Sequence, residues 1–336
     1  MFSSKKIAGI LIGAAYGLAF RFGLAHPDVH PVIGTISAAF LYVCPFSVGA
    51  IAVLWGAERG TQITIPRQAG MAISAMALFL LAMFVTFLEG LICIVLVVPV
   101  FMAASVVGGL VGGVVHNYGR MNRSTLPALA LLPFLVGPLE NLMPPQHSEQ
   151  SVTNTIHITA PPEAVFDRLA DVRNIKPDEL GFTFVHLIGL PKPLEAQMNG
   201  SGPGSVRTSR WEKHVWFQEV ITESDKPRAL RYRFVVPKGA IPRAALDEHV
   251  EINGEYFELV DGGFTLEPAL DGGTDLSLTT RFINKSRLKV YGNLWGSLVL
   301  KDFHRSILGL MKSRSEHQSA SSSGSANRVA ALAPRV

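Results

Sequence analysis

Hydrophobic positions are distributed unevenly along this chain of 336 residues. Up to about residue 145 they form long apolar runs, which open at Ile7, Val32, Ala69, Leu91 and Thr125. The first four runs are about 18 to 25 residues long, enough for a helix to cross a hydrocarbon layer roughly 30 Å thick. We therefore predict a transmembrane helical domain of about five spans at residues 1–143.

The fifth run, from Thr125 to Met143, leaves two topologies open. It contains three prolines and ends close to Glu140, although proline is tolerated in membrane helices. If the run spans, the domain after it lies on the opposite side of the membrane from the N-terminus. If the run is re-entrant or interfacial, the domain lies on the same side. The sequence favours spanning.

Basic residues between the runs are confined to alternate connections, which is the positive-inside pattern for a cytoplasmic N-terminus. They are Lys5, Lys6, Arg59, Arg67, Arg120 and Arg123. Arg21, near the end of the first run, is the exception, and we expect it to reach the far interface. With five spans, the protein is expected as a multi-pass protein of the cell inner membrane with its C-terminal domain outside the cytoplasm.

Charge argues against a nucleic-acid partner. Residues 1–146 contain 7 Lys and Arg against 4 Asp and Glu, whereas residues 147–316 contain 21 against 22. The basic excess thus belongs to membrane loops and the tail, and no soluble face is strongly basic. Cys44 and Cys93 both lie in apolar runs, so the soluble part forms no disulfide.

Closely spaced glycines mark helix-packing faces in the apolar region. Gly9, Gly13 and Gly17 repeat every fourth residue, and a second set lies at Gly108, Gly109, Gly112 and Gly113. Such faces serve either packing within one chain or a homodimer, and the sequence leaves both open.

The pattern changes after a polar, proline-containing hinge at residues 144–150. Residues 152–158 read as a strand, and a short helix follows Pro161 and Pro162. Further strands are predicted at residues 206–211, 215–222, 230–236, 255–266 and 275–283, and a long helix at residues 289–312. This order predicts one α+β domain at residues 151–316, followed by a disordered tail at residues 317–336 that is rich in Ser, Ala and Gly.

Four stretches of this domain carry a family resemblance: NTIHITAPPEAVFDRLADV, GSGPGSVRTSRWEKHVWFQEV, YFELVDGGFTLEP and YGNLWGSLVLKDFHRSILGLMKSR. They resemble the START-like, or SRPBCC, superfamily of polyketide cyclases, dehydrases and lipid-transport proteins. The whole chain is similar to bacterial membrane proteins that join several spans to such a domain. The resemblance implies a helix-grip fold, in which a curved antiparallel sheet wraps a C-terminal helix around an apolar cavity.

Alternation within the strands selects residues for that cavity. The candidate ligand-binding residues are Phe217, Tyr232, Phe234, Leu276, Leu278, Thr280, Arg207 and Arg210. The two arginines either meet a polar head group or are ordinary solvated strand residues. The alternative to a cavity is a filled core.

Candidate chemistry is sparse. Glu219 shares a strand face with Phe217 and Ile221, so it is either buried and a weak catalytic candidate or on a misassigned face. The cluster of Asp247, Glu248, His249 and Glu251 lacks a metal-ligand spacing, so neither a metal nor another cofactor is expected. The expected function is binding or transport of a lipid or isoprenoid at a membrane. The alternatives are a cyclase or dehydratase and a ligand-sensing interaction module.

Overall fold

The structure is a computed structural model that describes residues 4–24, 37–58, 60–119, 125–142, 147–242, 245–246, 251–286 and 288–331. Side chains are described up to His317, except that of Asn141. The chain divides into two compact units, residues 1–146 with 286–288, and residues 147–285 with 289–336. Arg59, Arg120, Arg123 and the acidic cluster at residues 247–249 lie outside the described residues.

The first unit is entirely helical in its described part. Its helices are α1 (Ser4–Leu24), a π-helical turn (Ala39–Val43) that continues into α2 (Cys44–Gly56), α3 (Ile65–Val85), α4 (Leu91–Tyr118) and α5 (Thr125–Asn141). Within the described residues, four segments are long and apolar enough to cross a membrane, with residues 39–56 counted as one. Helix α5 has 17 residues and contains Pro133 and Pro138, so its crossing stays a prediction.

Both glycine faces pack within the chain. A Cβ atom at Gly9 would lie 2.4 Å from the Ala52 carbonyl oxygen, and one at Gly108 would lie 1.9 Å from the Phe46 carbonyl oxygen. Only glycine permits such backbone approach, so α1 and α4 each pack closely against α2. The glycines thus have a structural role inside one molecule, while a homodimer through them stays a prediction.

Arg21 makes a buried ion pair at one end of the helical unit. Its Nε atom donates to Glu89 Oε1 at 2.7 Å, and its guanidinium also donates to the Leu88 carbonyl at 3.2 Å. Both charged side chains are buried among the described residues. The pair joins the end of α1 to the turn between α3 and α4, and the expectation that Arg21 reaches the far interface stays a prediction.

The second unit is a seven-stranded antiparallel sheet in the order β1-β7-β6-β5-β4-β3-β2. Its strands are β1 (Ser148–Ile158), β2 (Pro193–Asn199), β3 (Val206–Trp211), β4 (Trp216–Asp225), β5 (Ala229–Val235), β6 (Phe257–Pro268) and β7 (Thr274–Asn284). Its helices are α6 (Pro162–Ala170), α7 (Phe184–Leu187) and α8 (Lys289–Ala331). This is the predicted helix-grip arrangement. Among the strands, only β2 was not predicted; this edge strand pairs with β3, and its Ala196 also forms a bridge with Val172. The short helix α7 was not predicted either.

Alternation explains the two faces of the sheet. On β5, Leu230 and Tyr232 are buried while Arg231 and Arg233 are exposed, because successive side chains point to opposite faces. The buried face packs against α6 and α8 and forms the core of the unit. Helix α8 continues through Ala331, over the segment predicted as a disordered tail; no side chain beyond His317 is described.

Two glycines let α8 approach the sheet. A Cβ atom at Gly292 would lie 2.4 Å from the Asn284 side chain, and one at Gly296 would lie 2.7 Å from the Phe282 ring. Both neighbours are buried strand residues of β7. The first turns of α8 therefore face β7 through a stripe without side chains.

Candidate functional site

The concave face of the sheet, covered by α8, brings most of the predicted ligand residues together. Leu276, Leu278 and Thr280 follow one another at alternate positions of β7 and are buried. Phe217 on β4 and Tyr232 on β5 are buried on the same face, and Phe234 beside them is partly buried. The structure thus gathers these side chains into one apolar surface.

Aromatic rings dominate the part of this surface formed by β3, β4 and β5. The Phe217 and Phe234 ring centroids are 5.7 Å apart, and those of Tyr232 and Phe234 are 5.3 Å apart. From the helix side, the Phe303 ring stacks on Trp211 at 4.9 Å. Offset and edge-on rings pack favourably with one another, so these side chains form one continuous aromatic cluster.

One ion pair lies within this apolar surface. Glu219 is 5% exposed and Arg207 is 4% exposed, so the carboxylate points inward as one of the two alternatives predicted. The Arg207 Nε atom donates to Glu219 Oε2 at 2.5 Å, and another guanidinium nitrogen donates to the Leu169 carbonyl at 2.5 Å. Strand pairing brings the two together, since Arg207 on β3 is directly opposite Glu219 on β4.

The surroundings keep Arg207 charged and Tyr232 neutral. Burial opposes the charge on Arg207, but the Glu219 carboxylate raises the pKa of Arg207 above its usual range. The guanidinium carbon also lies 5.2 Å from the centre of the Tyr232 ring, a cation–π distance. Burial raises the pKa of the Tyr232 phenol well above 10, so this side chain is a neutral hydroxyl at physiological pH.

A histidine that was not predicted faces the same surface from α8. His304 is 1% exposed, and its Nε2 atom lies 2.9 Å from the hydroxyl oxygen of Thr280. Its Nδ1 atom is buried and has no hydrogen-bond partner among the described residues. Burial lowers the pKa of His304 to about 4, so the ring is neutral near pH 7. The sequence did offer a signal for its burial, because His304 lies four residues from both Leu300 and Leu308, which are buried on the same side of α8.

Arg210 does not belong to this surface. Its side chain is exposed on the opposite face of β3, and its guanidinium pairs with Glu195 Oε1 at 2.6 Å. Arg210 is therefore an ordinary solvated strand arginine, the second of the two alternatives that the sequence left open. Among the described residues, no group of three or more His, Cys, Asp or Glu side chains could hold a metal ion.

Comparison with known proteins places the second unit in a family. The family model for polyketide cyclase / dehydrase and lipid transport proteins matches residues 149–311. These residues contain the start of α8 and the whole sheet apart from Ser148. Residues 149–311 are a polyketide cyclase/dehydrase and lipid transport domain. No curated protein matches the chain.

Several solved structures are similar to about half of this chain. Ara h 8.0201 matches with 16% identity over 51% of this chain and 97% of its own, at a TM-score of 0.31. The ZhuI aromatase/cyclase of a Streptomyces species matches with 13% identity over 51% and 96%, at 0.33. A norcoclaurine synthase variant from Thalictrum flavum matches with 10% identity over 52% and 98%, at 0.33. At these scores the likenesses add nothing to the family match.

Proposed function

We propose that this protein is a membrane-anchored carrier whose polyketide cyclase/dehydrase and lipid transport domain binds one hydrophobic molecule, a lipid or an isoprenoid. The ligand would lie on the concave face against Phe217, Tyr232, Phe234, Leu276 and Leu278, exchanging with the bilayer of a bacterial inner membrane. The proposed topology has five spans and an extracytoplasmic domain. The apolar helices of the first unit and the family of the second support this proposal.

The observation that carries the proposal is the state of the buried charges. Arg207 and Glu219 neutralise each other within an apolar surface, so no net charge among them is left for an ionised ligand. Thr280 is occupied by His304. The charged groups and the Thr280 hydroxyl of this face are thus paired within the protein, and His304 Nδ1 is left as one neutral polar atom without a partner among the described residues. The large aromatic area of the face favours burial of an apolar ligand.

The second candidate is an enzyme of the cyclase or dehydratase type, for which the family name and the buried Glu219 are the support. A general acid or base must release or accept a proton at the substrate. The Glu219 carboxylate oxygen that faces Arg207 already accepts charge-assisted hydrogen bonds from its guanidinium. A carrier requires nothing of Glu219 beyond this pairing, so the geometry favours the carrier.

The test is to purify the full chain in mild detergent and identify co-purified lipids by mass spectrometry. Ser209→Phe would fill the concave face, because Ser209 is buried between Arg207 and Trp211 on β3. Thr208→Phe is the matched control, since Thr208 points to the opposite face. Ser209 Oγ accepts a hydrogen bond from Trp211 Nε1 at 2.8 Å, so Ser209→Ala is the reference that removes this bond without adding volume. A carrier predicts that Ser209→Phe loses the bound lipid but unfolds at the same midpoint as Ser209→Ala, whereas Thr208→Phe keeps the lipid and its midpoint.

Two results would contradict the carrier. If no apolar molecule co-purifies and the unfolding free energy of Ser209→Phe is about 1–3 kcal/mol lower than that of Ser209→Ala, the concave face is a filled core. If Glu219→Gln binds the lipid normally but abolishes its chemical conversion, the protein is an enzyme.

A further inference from the structure

An unexplained apolar stripe runs along the first turns of α8. Val290 is 86% exposed, Leu294 is 53% exposed and Leu298 is 47% exposed. These residues are four apart, so they lie on one face of the helix. Gly292 and Gly296, each two positions further along, face the sheet, which places the stripe on the side of α8 that points away from it.

Basic and aromatic residues flank this stripe. Residues 285–301 contain four basic residues and no Asp or Glu; they are Lys285, Arg287, Lys289 and Lys301. Lys301 is exposed and lies on the face of Leu294 and Leu298. Tyr291 and Trp295 contact each other edge-on at 6.3 Å beside the stripe. Apolar residues with Tyr, Trp and Lys around them are typical of helices that lie in the surface of a membrane.

The chain that connects the two units is short. Helix α5 ends at Asn141 and β1 begins at Ser148, and the connection can reach at most about 25 Å when fully extended. The Ser148 hydroxyl accepts a hydrogen bond from Asn293 Nδ2 at 2.9 Å. The start of α8 is therefore fixed to the point where the chain enters the soluble domain.

We propose that the first turns of α8 are a lipid-surface binding site that docks the soluble domain on the bilayer holding the protein's own spans. Val290, Leu294 and Leu298 would enter the acyl boundary, with the Tyr291 ring at headgroup level. Lys285 is paired with Glu258 at 2.6 Å, so Lys289 and Lys301 would contact anionic headgroups, whose attraction is about 1 kcal/mol per basic residue near the surface. The site goes beyond the proposed carrier function, because docking requires no ligand on the concave face.

The experiment uses the full chain in lipid nanodiscs. A polarity-sensitive NBD fluorophore is attached at Leu294→Cys or Leu298→Cys, and at Ser201→Cys as a control in the exposed turn before β3. Cys44 and Cys93 are both buried, and the unlabelled chain reports any background at them. Quenching by nitroxide-labelled lipids is compared with quenching by aqueous iodide, and unfolding midpoints verify that each variant is folded.

Docking predicts that labels at positions 294 and 298 emit at shorter wavelength and are quenched several-fold more by nitroxide lipids than the label at 201. Replacing phosphatidylglycerol by phosphatidylcholine, or Lys289 and Lys301 by Gln, should reduce that difference. Labels at 294 and 298 quenched by iodide as strongly as the label at 201 would overturn the proposal. Protection from iodide without lipid quenching, increasing with protein per disc, would also overturn it and indicate a second copy of the chain. These outcomes are independent of lipid co-purification, so the carrier function and the docking site fail separately.

Discussion

The buried pair of Arg207 and Glu219 gives the sharpest prediction about stability. Removing one member of a buried ion pair typically costs about 3–5 kcal/mol, because the remaining charge is left in a medium of low polarity. Glu219→Leu leaves Arg207 with the Leu169 carbonyl and the Tyr232 ring as its neighbours. We expect a loss of about 3–4 kcal/mol, a large part of the 5–15 kcal/mol typical of a domain.

Arg207→Met should cost more, about 4–5 kcal/mol, because it strands both the Glu219 carboxylate and the Leu169 carbonyl. The double variant, Arg207→Met with Glu219→Leu, leaves only that carbonyl without its partner, and should lose about 1–2 kcal/mol. The two single losses therefore exceed the loss in the double variant by several kcal/mol. Such non-additivity is the sign of a direct interaction between the two residues.

The assay is a urea titration of the full chain in detergent, followed by tryptophan emission, since Trp211 and Trp216 lie on strands of the domain. At an m-value of about 2 kcal/mol per molar, a loss of 4 kcal/mol moves the midpoint by about 2 M. Arg210→Met is the matched control, because Arg210 lies on the same strand and pairs with Glu195 at 2.6 Å in an exposed position. It should cost less than about 1 kcal/mol. Single losses below about 1 kcal/mol that simply add would refute the reasoning.

Three further predictions concern other parts of the chain. His157 lies between Asp275 and Asp271, and hydrogen bonding to Asp275 raises its pKa; this stabilisation is complete below pH about 6.5 and is lost as the pH rises through the folded-state value. An NMR histidine titration should give His157 a pKa above, and His304 a pKa below, that of an ordinary histidine. His157→Gln should remove the part of the pH dependence of unfolding that His157 causes, and an ordinary pKa at either ring would contradict this prediction. Gly296→Ala should cost about 1–3 kcal/mol by crowding the buried Phe282 ring, whereas Gly309→Ala, with open space around it, should stabilise by about 0.5–1 kcal/mol; equal unfolding midpoints would refute the close contact of α8. A phosphatase fused after Gln150 should be active and a fluorescent protein at the same point dark, and the reverse result would show that α5 does not cross.

The sequence predicted the strand and helix order of the second unit because strong alternation accompanies every strand that has one buried face. On β7, Leu276, Leu278 and Thr280 are buried between outward polar residues, so the pattern is legible. Strand β2 has no such pattern, since most of PLEAQMN is only partly buried at the sheet edge. Its formation depends on hydrogen bonds to β3, which a single-sequence pattern does not record.

The partners of buried polar groups were less accessible to prediction. Glu219 was recognised as an anomaly among apolar neighbours, yet nothing in its own strand names Arg207 as its partner. That pairing depends on the register of β3 against β4, which is set by the short connection at Glu212–His214 and by packing. His304 and Thr280 are likewise joined only when α8 lies on β7. Such contacts arise from tertiary structure, so the sequence identifies the unusual buried residue but not the partner that pairs with it.

The contrast between Arg207 and Arg210 shows how much more the strand pattern could have yielded. The two residues are three positions apart on β3, and an odd separation on a regular strand places side chains on opposite faces. Treating both as one head-group site was therefore inconsistent with the strand that the sequence itself predicted. The same parity places Arg207 with Ser209, and the register then places it with Glu219. Burial converts this one arginine from a solvated residue into part of an internal ion pair, and that pairing is why the ligand we propose for the concave face is neutral and hydrophobic.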